Sequence, residues 1–325
     1  MIEKIKVEDA IGQPLLHDIT AIMPDGFKGV RFKRGHIVEA DDIEDLKNIG
    51  KDHIYVGELE ANEVHEEDAI LELIPYLEND YINITGPAEG KISMKSSIDG
   101  VFVLNRPLLK SLNEIGDYTV VTKRSYTKVK VGDNLAGIRI VPLWTDRSKV
   151  DKAKEILSEN DKLFEVLPYK KLKVGVIITG DEVYYGRIED RFKPVLSEKL
   201  AEFDADVIDY IICRDDLDML LEAYGRFKER GADLVIFTGG MSVDPDDLTP
   251  TAIKKTGAEL IIQGIPMQPG NMLTIAKDKR RYLMGVPGAT IHAPITSFDY
   301  FLPRIVADID LKKEDFLEMA EGGLL

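Results

Sequence analysis

The stretch Asp233-Leu-Val-Ile-Phe-Thr-Gly-Gly-Met-Ser-Val-Asp-Pro-Asp-Asp-Leu-Thr-Pro250 decides the fold and, with it, the place of the site. Leu234 to Phe237 is a short apolar run with β-branched members, the pattern of a strand buried on both faces in a parallel sheet. The run breaks at Thr238-Gly239-Gly240, where paired glycines permit a sharp turn and a close approach of backbone N–H groups to a ligand. Asp244, Asp246 and Asp247 follow. Thr249-Pro250 then reads as a helix start, with Thr249 as N-cap and Pro250 in the first helical position. Strand, glycine turn, acidic loop and capped helix together predict an anion held by amides beside a magnesium ion held by carboxylates. The plainer alternative is a tight turn whose aspartates are solvated.

Working outward, extended segments at residues 172–179, 206–213, 234–237, 259–265, 272–276 and 282–284 alternate with helical ones near 194–203, 217–230, 250–256 and 291–305. Strands alternating with helices of this size predict an α/β domain over residues 169–325, three-layered, with a mostly parallel sheet. In such sheets ligands bind beyond the carboxyl ends of the strands. The first strand ends in Thr179-Gly180-Asp181-Glu182, the second in Arg214-Asp215-Asp216, and the third in the glycine–aspartate loop. Two further turns, around Pro269-Gly270-Asn271 and Pro287-Gly288, expose backbone amides after Pro-Gly. The three acidic loops are expected to meet on one rim, where Asp215, Asp244, Asp246 and Asp247 could share a hard divalent cation beside a phosphate.

The preceding half has a different texture. Residues 1–60 read as a small α+β segment. Residues 61–145 read as a β-rich domain, barrel-like or a sandwich, because turns punctuate short alternating strands throughout. Residues 146–168 read as a charged helical connector.

Bulk properties narrow the function classes. The chain has 325 residues and a formal net charge of −16, which leaves no Lys/Arg excess to displace counterions from a nucleic acid. The single cysteine, Cys213, excludes an intramolecular disulfide and a multi-cysteine zinc site. It lies in an apolar run and is expected to be an inert core thiol in a reducing cytoplasm. His17, His36, His53 and His65 lack the close spacing of helix-borne metal ligands and are expected at the surface or in turns. No apolar run reaches membrane-spanning length. Ser242 has no histidine base nearby in sequence, and residues 312–321 read as an exposed helix followed by a frayed end.

Thr179-Gly-Asp-Glu182, Asp215-Asp216, Thr238-Gly-Gly-Met-Ser-Val243 with Asp247, Pro269-Gly270 and Gly285-Val-Pro-Gly288 resemble, in order and spacing, the molybdopterin-binding (MoaB/Mog-type) domain of molybdenum-cofactor biosynthesis proteins. The resemblance covers roughly residues 171–305 and is greatest to the domain of molybdopterin molybdenumtransferase, whose start is also similar to residues 7–20. It implies a domain that holds molybdopterin or its adenylylated form, a phosphorylated pterin, and helps insert molybdate with loss of AMP. Carried over motif by motif, it implies catalytic roles for Glu182, Asp215 and Asp247. It implies ligand contacts from Thr179, Gly180, Asp181, Thr238, Gly239, Gly240, Met241, Ser242, Thr249, Pro269, Gly270, Asn271, Pro287 and Gly288. Relatives of the domain form dimers or trimers, so a homo-oligomer is implied too.

The chain also departs from that pattern. Asn271 stands where the enzyme has a phosphate-contacting lysine, Ala289-Thr290 stands where it has Asn-Pro, and its Asp-Gly-Tyr-Ala segment has no counterpart. The segment Asp247-Leu-Thr-Pro-Thr-Ala-Ile253 resembles the loop of molybdopterin adenylyltransferases and of nucleotide pyrophosphatases of the competence/damage-inducible type. Two functional classes follow for a pterin ligand, an enzyme of cofactor assembly or a non-catalytic carrier or sensor of molybdopterin; a molybdopterin adenylyltransferase or nucleotide pyrophosphatase is a further alternative.

Overall fold

The computed structural model describes residues 2–22, 26–88, 90–158, 162–242 and 247–325, and the chain divides into two compact units, Met1–Val166 and Leu167–Leu325. Asp244 and Asp246 therefore lie outside the described residues.

The first unit contains two hydrophobic clusters. One gathers Val7, Leu15, Ile19, Val38, Leu46 and Ile54 beneath two antiparallel pairs, Ile2–Lys6 with His53–Gly57 and Ile19–Ile22 with Lys28–Phe32. The other lies among an antiparallel four-stranded sheet (Ile82–Ala88, Lys91–Ser96, Asn134–Ile140, Tyr118–Thr122) and a three-stranded one (Thr127–Val129, Gly100–Leu104, Phe164–Pro168). Among the described residues the strands form separate sheets, so of the two expected arrangements, barrel-like or sandwich, a closed barrel is not formed. The expected connector also differs. Helix Arg147–Ser158 buries Val150, Ala153 and Leu157 in this second cluster, and the chain then re-enters a sheet at Phe164–Pro168. Its apolar positions recur at helical spacing beneath a charged exterior, and that exterior dominates the sequence pattern.

The second unit is built on six strands: β1 (Lys173–Thr179), β2 (Asp206–Cys213), β3 (Leu234–Thr238), β4 (Glu259–Gln263), β5 (Thr274–Asp278) and β6 (Arg281–Val286). Their order across the sheet is β2-β1-β3-β6-β5-β4. The pairs β1–β2, β1–β3 and β3–β6 are parallel, whereas β5 runs antiparallel to both β6 and β4. Central β3 is buried along its whole length, as its unbroken apolar run requires, while edge strand β2 is half-exposed.

Side chains alternate between two helical layers. Val176, Ile178, Leu234 and Ile236 face α2 (Phe192–Ala201) and α5 (Ser297–Val306). Ile177, Val235 and Phe237 face α3 (Leu217–Glu229) and α4 (Thr249–Lys255). At Gly175 in β1, an added Cβ would lie 2.4 Å from the ring of Phe227 on α3, so the close seating of helix on sheet requires glycine there. The C-terminal segment is not frayed. Phe316 in Lys313–Leu317 is fully buried and stacks on Phe301 of α5 with ring centroids 4.3 Å apart.

His65, expected at the surface, is 1% exposed in the first unit. It caps helix Glu66–Leu71, its Nδ1 accepting the Glu67 N–H at 3.2 Å. Burial, reinforced by the nearby Arg34 charge, pushes its pKa from 6.5 down to about 4. The folded state therefore resists a proton that the unfolded chain accepts, and stability is lost as pH falls from about 6.5 towards about 4. Urea titrations across that interval are expected to show a falling midpoint for wild type and a flatter profile for His65→Gln.

Candidate functional site

Parallel pairing brings three strand ends together. Thr179 of β1 lies opposite Cys213 of β2, and Ile178 opposite Thr238 of β3, so the loops that follow leave one rim side by side. Asp215 joins the first two. Its Oδ2 accepts the Asp181 N–H at 3.0 Å. The Thr179 hydroxyl lies 3.0 Å from Asp215 Oδ1 and 2.9 Å from the Arg214 carbonyl. In return the Asp215 N–H donates to Asp181 Oδ1 at 3.2 Å, and Arg214 Nε stands 3.6 Å from that carboxylate.

The third loop is drawn equally close. Gly239 has φ +78°, and a Cβ there would sit 2.1 Å from the Thr179 carbonyl oxygen. The Thr249 hydroxyl donates to the Gly239 carbonyl at 2.8 Å, and the Thr249 N–H to the Gly240 carbonyl at 3.2 Å. These bonds correct an expectation. Helix α4 begins at Thr249 with Leu248 as N-cap, and Thr249 is fully buried. Thr249 is thus the first helical residue rather than the cap, and both of its donors are spent on the glycine turn, so it offers none to an anion.

Between the three loops lies a cleft of about 270 Å³. Thr179, Gly180, Glu182, Asp215, Gly239, Gly240 and Asp247 line it, so the residues expected to be catalytic share one cavity. Glu182 lies beside the backbone at Gly180, where an added Cβ would be 3.0 Å from its Oε1. Val183, Ile188, Glu189, Asp190, Arg191 and Phe192 also line the cleft, although they fall between the expected strand and helix and belong to no expected ligand motif. Asp190 carried a signal, an Asp just before a helix. Its carboxylate accepts the N–H groups of Phe192 at 2.9 Å and Lys193 at 2.8 Å.

Other expected ligand residues stand apart from the cleft. Met241 is 5% exposed and packs inward against Gly285, so it belongs to the core. Thr238 is fully buried within β3, and Ser242 is exposed beyond the glycine turn. The Pro269-Gly270-Asn271 turn is fastened to α5, with Ser297 Oγ donating to the Gly270 carbonyl at 2.6 Å. It and Pro287-Gly288 occupy the same rim, because β5 enters where β6 leaves, yet they lie further along the sheet; only Ile291 from the last turn reaches the cleft.

Two of the four expected magnesium ligands, Asp244 and Asp246, lie outside the described residues, among which no three His, Cys, Asp or Glu side chains gather to hold a metal. Both oxygens of Asp215 already accept hydrogen bonds. The Cys213 thiol is buried, which raises its pKa to about 11 and suits a core thiol. Among the described residues no helix is long and apolar enough to cross a membrane.

Gly239→Ala combines a left-handed backbone with a backbone clash and is expected to cost on the order of 2 kcal/mol or more in chemical denaturation. Asp215→Asn would set an NH₂ group or a weaker acceptor against the Thr179 and Asp181 donors. A loss of about 1 kcal/mol is expected by the same measurement.

A family model described as "Probable molybdopterin binding domain" matches residues 175–307, and a model of a domain of unknown function matches residues 4–58. Molybdopterin molybdenumtransferase of Staphylococcus aureus (strain Mu50) is 29% identical over 168 residues, which is 50% of this chain and 40% of that protein. The enzyme of the same name from Haemophilus influenzae is 30% identical over 148 residues, 43% of this chain and 36% of that one. The chain thus matches less than half the length of these relatives. Among solved structures, the molybdopterin biosynthesis enzyme MoaB of Thermus thermophilus has 20% identity and a TM-score of 0.37, with 44% of this chain and 97% of that one covered. A molybdenum cofactor biosynthesis protein of Pyrococcus furiosus has 15% identity and a TM-score of 0.29, with 95% of this chain and 64% of that one covered. The rim and its cleft lie within residues 175–307, the span matched by the model of a probable molybdopterin binding domain and similar to molybdopterin molybdenumtransferases.

Proposed function

We propose that the cleft binds a phosphorylated pterin, molybdopterin or its adenylylated form, as a step in molybdenum-cofactor assembly in the cytoplasm. The observation that supports this reading most directly is the meeting of Glu182, Asp215, Asp247 and the Gly239-Gly240 turn in one cavity inside the matched domain. In this reading the glycine turn lets the ligand approach the backbone closely. Asp215 acts through the loops it ties together. Glu182 and Asp247 are the carboxylates set towards the ligand. Magnesium, when bound, would neutralise phosphate oxygens with help from one or two carboxylates, the usual coordination of this ion. The described residues do not supply a three-ligand cage, so no chemical step is assigned to a metal.

Whether binding is coupled to molybdate insertion with loss of AMP divides the two functional classes. The carrier reading is favoured by Asn271 in place of the expected lysine. The deciding experiment titrates the full chain with molybdopterin, then supplies the adenylylated form with molybdate and magnesium and follows AMP. Saturable pterin binding is expected. If the protein is a transferase, AMP is released and Asp247→Asn lowers that rate by about a hundredfold or more, as expected for a group acting on the transition state. Binding without AMP release identifies a carrier, and no pterin binding refutes both.

A further inference from the structure

The cleft is acidic beyond what a phosphate ligand would tolerate unaided. Five carboxylates line it, from Glu182, Glu189, Asp190, Asp215 and Asp247, and the one cationic side chain among its described lining residues is Arg191. Two other means of holding an anion in this unit are already in use. The leading amides of α2, at Phe192 and Lys193, donate to Asp190, and the Thr249 N–H and hydroxyl are bound to the glycine turn.

We propose that Arg191 is the phosphate-anchoring and specificity-determining residue of this cleft, its guanidinium selecting phosphate esters over the corresponding dephosphorylated ring compounds. The proposal rests on the pterin-phosphate reading of the site. A planar guanidinium can form two parallel charge-assisted hydrogen bonds to phosphate oxygens, and it keeps its charge throughout the physiological range.

Its backbone is held on both sides. Upstream, the Arg187 and Ile188 N–H groups donate to the Glu182 carbonyl at 2.8 and 3.2 Å, and the Tyr185 N–H donates to the Asp181 carbonyl at 3.0 Å. The guanidinium carbons of Arg187 and Arg214 lie 5.4 and 5.7 Å from the Tyr185 ring centroid, tying this loop to the end of β2. Downstream, Asp190 fixes the start of α2, whose N-cap position is Arg191 itself. Backbone anchoring of this kind lowers the cost of ordering the segment on binding, leaving only the arginine side chain to be immobilised.

The test measures equilibrium binding of molybdopterin and of the same pterin after phosphatase treatment, to wild type, Arg191→Ala, Arg191→Lys and the remote control Arg230→Ala, with each fold checked by thermal unfolding. Wild type should prefer the phosphorylated ligand. Arg191→Ala should weaken its binding roughly ten- to a hundredfold and erase the preference, Arg191→Lys should recover part of it, and Arg230→Ala should match wild type. If wild type binds the phosphorylated pterin and Arg191→Ala binds it equally well, Arg191 is not the anchor while the pterin reading stands. If wild type binds neither ligand, both fall.

Discussion

The site depends on how closely three neighbouring strand ends are held, and Asp215 is the side chain that fixes two of them. One carboxylate takes a hydroxyl from β1 and an amide from the residue that starts the next turn, while its own amide returns a bond to Asp181. Such a reciprocal pair of loops satisfies polar groups that would otherwise face a partly dry cavity, and it sets the positions of Gly180 and Glu182 together. The third strand end joins through the Gly239 backbone, which lies against the Thr179 carbonyl with no room for a side chain. Most of what lies beneath, the unbroken apolar strands and the helical layers on each face, serves to bring those backbone ends into register.

Much of this arrangement was legible in the sequence. Val174 to Ile178 and Leu234 to Phe237 lie in strands whose burial on both faces erases alternation, and each strand closes on a threonine followed by a glycine, which breaks it. From those breaks the shared rim follows by topology alone. The acidic and glycine residues nearest the break, Glu182, Asp215, Gly239 and Gly240, line the cleft.

What escaped had physical reasons. Met241 sits between two small residues that suit a ligand loop, and only the packing against Gly285 reveals that it turns inward. Thr249 before Pro250 has the composition of a cap, but the cap position falls one residue earlier, at Leu248, and the Thr249 hydroxyl donates to the Gly239 carbonyl of the glycine turn. Val183 and residues 188–192 form a wall of the cleft, on a segment without strand or helix periodicity over most of its length, so no pattern in the sequence marks them. In the first unit, turn density indicated β structure but could not say whether the strands close on one another, because closure is set by register between distant segments.

The order of strands along the rim has a further consequence. From β2, which leads into the loop bearing Asp215, to β5, which follows the Pro269-Gly270-Asn271 turn, there are four inter-strand steps, on the order of 19 Å at the usual spacing. That turn is also fastened to α5 by Ser297. One phosphate cannot touch both ends of such a span. The asparagine at position 271 therefore bears on a remote part of any extended ligand, and the chemistry at the carboxylate end can be altered by mutation with little crosstalk from it.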